Sequence, residues 1–194
     1  MSKFKFVFLS LATVLTLSAC SDGTETDSGT ESTQQSEEVI QESNGAEHDM
    51  EHDESGEIPE GLEEAENPTY PVGSQVVIQD GHMAGMEGAD ATIEGAFDTI
   101  AYEISYTPTD GSDPVENHKW VVHEEIQDMQ EEPFQPGDSV VLEANHMSAM
   151  NGATAEIDSS EDTTVYMVTY TDTETGDTVE NHKWLSEDEL APAE

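Results

Sequence analysis

The chain has 194 residues and carries 45 Asp and Glu against 4 Lys and no Arg, a net charge of −41 with neutral histidines. A field of that sign repels nucleic acid and anionic surfaces and draws cations, which excludes a nucleic-acid-binding reading. Cys20 is the one cysteine, so there is no disulfide framework, and any small domain must be held by packing alone.

The first 19 residues place Lys3 and Lys5 ahead of an apolar run from Phe6 to Leu17, followed by Ser18 and Ala19. This is the order of a secretory signal peptide, and the run is too short to span a bilayer. Leu17, Ser18, Ala19 and Cys20 together resemble the bacterial lipobox. The resemblance implies that Cys20 is diacylated, that cleavage precedes it, and that acyl chains hold the mature protein at the extracellular face of the cell membrane. Cleavage leaves Lys119 and Lys183 against 45 acids, a net charge of −43.

Residues 20–69 are Ser, Thr, Gly, Gln, Glu and Asp with hardly an aromatic or branched side chain. Such a composition does not fold alone and reads as a disordered acidic linker extended by its own repulsion. Within it, EHDMEHDE offers His48, Met50 and His52, a loose secondary tract for divalent copper or zinc, or simply acidic spacer.

An internal repeat follows at an offset of 64, carrying Tyr70–Ile126 onto Phe134–Leu190 without a gap, with about two dozen identities. GHMAGMEGADATI aligns with NHMSAMNGATAEI, and PVENHKW with TVENHKW, while loop positions differ freely. The organisation expected is a first repeat over 70–130 and a second over 131–194. Each copy reads as β. Residues 74–79 and 138–143 begin at a turn glycine, 91–94 and 155–158 make a second short strand, and 100–106 and 164–170 alternate with period two. A Gly- and Asp-rich hairpin then leads to 115–121 or 179–185. A last acidic turn, HEEI or SEDEL, suits one helical or 3-10 turn. Short strands in this order predict an all-β fold of two tandem small SH3-like (KOW-like) barrels, an analogy beyond the β pattern itself.

The donors held in both copies are His82, Met83, Met86 and His118, matched by His146, Met147, Met150 and His182. Thioether sulfur is soft and imidazole borderline, a set suited to Cu(I) and, through the histidines, Cu(II). Zinc or calcium would not call for methionine. The alternative is packing, since methionine fills irregular core gaps and a repeated histidine is often a buried hydrogen-bonding residue. Both readings stand on the residues alone. Against filler, Ile78 has drifted to Leu142 and Ile104 to Val168, whereas the His-Met-x-x-Met positions are unchanged.

Lys119 and Lys183 sit beside Trp120 and Trp184 and suggest structural ion pairing or stacking rather than anion recognition. No nucleophile elbow, phosphate loop or H-E-x-x-H is present, so an enzyme is the least supported class.

The HMxxM and ENHKW segments, with the signal and tether, resemble the YdhK family of Gram-positive lipoproteins, and the likeness runs from Tyr70 to Leu190. The resemblance implies a tandem domain of unknown function, with some members acting as surface copper-binding lipoproteins in copper resistance. Together, residues and resemblance lead to an expectation of one copper site per repeat, for sequestration outside the membrane. His123 is not carried over as a ligand, because the second repeat has Glu187 there. The other expectation is a wall-binding module gripping peptidoglycan peptides, with no metal role.

Overall fold

A computed structural model of the chain describes residues 53–193. The signal segment, Cys20 and the tract of His48, Met50 and His52 lie outside the described residues. The all-β expectation holds. The strands are β1 (Glu63–Glu64), β2 (Gln75–Ile78), β3 (Asp90–Thr107), β4 (Val115–Val122), β5 (Ser139–Val141), β6 (Thr154–Thr171), β7 (Thr178–Ser186) and β8 (Leu190–Pro192). The acidic ends HEE and EDE are 3-10 turns, His123–Glu125 and Glu187–Glu189.

Where the sequence reads two strands per repeat, separated near 95–99 and 159–163, the chain runs straight on. β3 and β6 are 18 residues each. They pair antiparallel from Ala91 opposite Tyr170 to Thr107 opposite Thr154. At the centre Thr99 faces Thr163, its own counterpart at the repeat offset, so a pseudo-two-fold axis passes through this pair. Register slips on either side leave Glu94 and Asp158, again equivalent residues, as the extra members of two symmetric bulges.

Two self-contained SH3-like barrels are therefore not what the strands build. All eight lie in one open sheet. Because 95–99 and 159–163 stay extended instead of turning back, the second half of each repeat is delivered to the other lobe. One core joins Val76, Ile78, Met86 and Ile93 to Tyr166, Val168, Tyr170 and Leu185. The other joins Tyr102, Ile104, Tyr106 and Val121 to Leu142, Met147, Met150 and Ile157. A third cluster, with Phe97, Trp120, Val165, Met167 and Trp184, bridges the repeats near the axis.

Residues 53–69, expected as the end of a free linker, lie on the sheet. β1 pairs with the middle of β3, Glu63 opposite Asp98, and the Ala65 N–H donates to the Ala96 carbonyl at 2.9 Å. Leu62 packs on the third cluster. An acidic segment without a core of its own is thus ordered by a strand edge and a borrowed apolar face.

Candidate functional site

The loops of residues 79–89 and 143–153 turn back at Gly88 and Gly152, both with φ of 78°, a region that glycine enters without steric cost. Their N–H groups donate to the carbonyls of Ile78 and Leu142 at 2.8 Å. This return drops Met86 and Met150 into the two cores, both 0% exposed. Met147 is buried as well, and Met83 packs half-buried against its core. His146 is buried, while His82 keeps a side-chain exposure of 13%.

The other histidines come from β4 and β7. Asn117 and Asn181 stand just before them with φ of 54° and 52°, and the ladder slips register here in both hairpins. Asn tolerates this left-handed conformation, and the slip re-aims the side chain that follows. His118 meets the Tyr106 ring edge-on at 5.9 Å between centroids, and His182 meets Tyr170 at 5.7 Å.

Strand exchange decides which donors meet. His82 does not join His118 of its own repeat. It lies 5.6 Å, centroid to centroid, from His182, and His118 lies 5.6 Å from His146. The single-repeat grouping expected from the sequence is replaced, for the histidines, by two cross-repeat pairs, His82 with His182 and His146 with His118, while Met83 and Met86 pack with one core and Met147 and Met150 with the other.

Each group also has a buried carboxylate that sequence reasoning missed. Glu189 Oε1 is 3.3 Å from His82 Nδ1, and Glu125 Oε2 is 3.3 Å from His146 Nε2. Indole N–H groups reach across from the other repeat, Trp120 to Glu189 at 2.8 Å and Trp184 to Glu125 at 3.2 Å. The residues just before the 3-10 turns complete the set, as Ser186 N–H donates to Glu189 at 2.8 Å and Val122 N–H to Glu125 at 3.1 Å. Burial pushes the Glu189 carboxyl up, but the His82 hydrogen bond and charge, with the Ser186 and Trp120 donors, more than offset this and hold it below the usual range. The available signal was that Glu125 and Glu189 are identical at the repeat offset; it was lost among 45 acids.

Among the described residues, no group of three or more His, Cys, Asp or Glu side chains is disposed to hold a metal ion. The imidazoles come as pairs, with a glutamate beside one ring of each pair, and the expected thioether donors Met86, Met147 and Met150 are buried among core side chains. Glu125 also borders a cavity of about 830 Å³ whose wall carries Asp53, Glu57, Glu60, Glu124 and Glu143.

The lysines serve structure. Lys183 Nζ is 3.3 Å from Asp53 Oδ2, while Lys119 Nζ lies 5.1 Å from the centroid of the Trp120 ring. His123 and Glu187, different at one repeat position, both meet a core tyrosine hydroxyl, Tyr102 at 2.8 Å and Tyr166 at 3.4 Å.

Residues 72–123 and 136–187 each match the family described as Protein of unknown function (DUF1541). The chain is 51% identical over 190 residues to the Uncharacterized protein YdhK of Bacillus subtilis (strain 168), spanning 98% of this chain and 89% of that protein. A crystal structure of a DUF1541 family protein (ydhK) from Bacillus subtilis subsp. subtilis str. 168 is 60% identical with a TM-score of 0.69, covering 71% of this chain and 93% of that one. The solution NMR structure of the ydhK C-terminal domain from B. subtilis is 61% identical with a TM-score of 0.60, covering 63% of this chain and 92% of that one.

Proposed function

The chain belongs to the DUF1541 family, and we propose that it is a lipoprotein anchored through Cys20 that captures copper outside the membrane at two sites, each shared between the repeats. The observation that carries this reading is the pairing of His82 with His182 and of His118 with His146 at 5.6 Å in both lobes. Two imidazoles sharing one ion at metal–nitrogen distances of about 2 Å have centroids roughly 5–6 Å apart. A carboxylate behind a ligating histidine fixes ring orientation and raises basicity, and Glu189 and Glu125 stand in that relation to His82 and His146. Thioethers and imidazoles without cysteine favour Cu(I), a soft ion, over the harder divalent cations. The acidic cavity beside Glu125 supplies a field that concentrates cations at the second site.

Competition with bicinchoninate for Cu(I) on the full chain tests the reading. Two equivalents are expected. His82→Ala and His182→Ala should abolish the same one, and His118→Ala and His146→Ala the other. Less than one equivalent per chain, or unchanged binding in all four variants, rejects it.

A further inference from the structure

β3 and β6 are equivalent strands whose outer edges end differently. On β3 the stretch between β2 and β4 is covered. β1 sets Glu63 opposite Asp98 and Glu64 opposite Phe97, and the Ala96 carbonyl accepts from the Ala65 N–H at 2.9 Å. Two residues of β7 hold the start of the same segment, Asn181 Nδ2 donating to the Glu54 carbonyl at 2.9 Å and Lys183 pairing with Asp53. The repeat offset carries Ala96, Phe97 and Asp98 onto Ser160, Glu161 and Asp162 of β6. There the pairing with β5 reaches Glu156 and the pairing with β7 starts at Val165, and among the described residues no strand other than β3 lies alongside the interval. Ala96 and Phe97 are buried, whereas Ser160, Glu161 and Asp162 are all exposed. Since the Ala96 carbonyl faces β1, the backbone of its counterpart Ser160 faces the open side.

The side chains along the two edges differ in kind. Leu62 packs on the third cluster, where Phe97 and Met167 border the same groove. Their counterparts are Glu161 and Glu103, and Asp158 and Ser159 replace Glu94 and Gly95. Desolvation, then the Asp188 and Glu189 charges, push the Glu161 carboxyl up, opposed by Lys119 and the Thr163 hydroxyl. Charge on a bare edge guards it against strands of its own kind. A second copy of β6 would set acids against acids, and so would residues 53–65, which carry six carboxylates and would find no apolar floor for Leu62. A cationic strand turns the same field into attraction, and the open N–H and C=O groups supply main-chain bonds to it.

We propose that the outer edge of β6 at residues 160–162 is a docking site for an extended segment of another polypeptide bearing Lys or Arg. The segment adds antiparallel, as β1 adds to β3, and sets a cationic side chain by Glu161 and Glu103 in the place that Leu62 takes on the other edge. The inference rests on register, exposure and charge and stands independently of copper.

The full chain carrying Cys20→Ser, titrated with a fluorescent peptide of four Lys-Thr repeats, tests it by anisotropy and amide hydrogen exchange. Exchange at the Ser160 and Asp162 amides should slow on binding, because these N–H groups become donors to the added strand. Glu103→Gln/Glu161→Gln should weaken binding at least about fivefold, about 1 kcal/mol. Glu131→Gln/Glu132→Gln, which removes the same charge from exposed positions of the connector, should leave it unchanged. Absence of binding overturns the proposal. Unaltered exchange at Ser160 and Asp162 with peptide bound, or equal weakening by the two double variants, reduces the binding to diffuse attraction and overturns it as well. So does tighter binding of a peptide of residues 53–65, or protection of the same amides by raising the protein concentration alone, which would make the occupant an acidic segment or a second copy.

Discussion

Each lobe buries a carboxylate among N–H donors, Glu189 at 4% exposure and Glu125 at 5%. Glu189 accepts from Trp120, Ser186 and, through its other oxygen, faces His82. Removing it leaves an indole and a backbone N–H buried without an acceptor, at about 1–3 kcal/mol each. Glu189→Leu should therefore lose roughly 3–5 kcal/mol in urea unfolding, and Glu189→Gln, which keeps an acceptor oxygen, about half that. The pH dependence has a definite sign. The folded Glu189 carboxyl is held below its ordinary value of 4.5, so the folded state binds its proton less tightly than the unfolded chain. Its contribution is complete above pH 4.5 and disappears as pH falls through the folded value. Wild type should lose more stability between pH 6 and pH 3 than Glu189→Gln; parallel losses would remove this role. Glu189 also marks where legibility ends at this scale. The histidines and methionines stood out because they are scarce and repeated, whereas equally repeated glutamates were indistinguishable from the solvated acids around them.

At the scale of the strand, the short segments around Val76, Val140 and Tyr106 were legible from branched residues, alternation and turn glycines. The segments GAFDT and SSEDT were not, since glycine, serine and aspartate together carry the composition of a loop. They stay extended because the facing strand, which belongs to the other repeat, satisfies their backbone. Local pattern contains no information about that partner, and so none about which histidine meets which. The test lies at Asp98, where β3 is flanked on one side by β1 at Glu63 and on the other by β6 at Thr164. Whichever way its N–H points, a strand receives it. Asp98→Pro should cost on the order of 3 kcal/mol, while Asp98→Ala, which loses only an exposed bond from the Thr164 hydroxyl, should cost under about 1 kcal/mol. Equal effects would mean that the middle of β3 is not a working ladder.

For the whole molecule, continuity of β3 and β6 through both lobes makes independent melting of the repeats impossible without breaking strands that the other lobe needs. Four of the five tyrosines, Tyr102, Tyr106, Tyr166 and Tyr170, are at most 4% exposed and divide equally between the two cores. Burial pushes all four hydroxyls above 10, and Tyr166 and Tyr170 to about 12. The neutral form is thus favoured in the folded state. The associated stability is fully present below pH 10 and is lost as pH rises through the folded values toward about 12. Tyrosinate absorbance followed alongside circular dichroism should show these four tyrosines ionising together with loss of sheet, in one transition at the same pH by both probes. Two separate steps of two tyrosines each would instead mean that each lobe unfolds alone, and the shared strands would then be a seam between independent halves rather than the element that unites them.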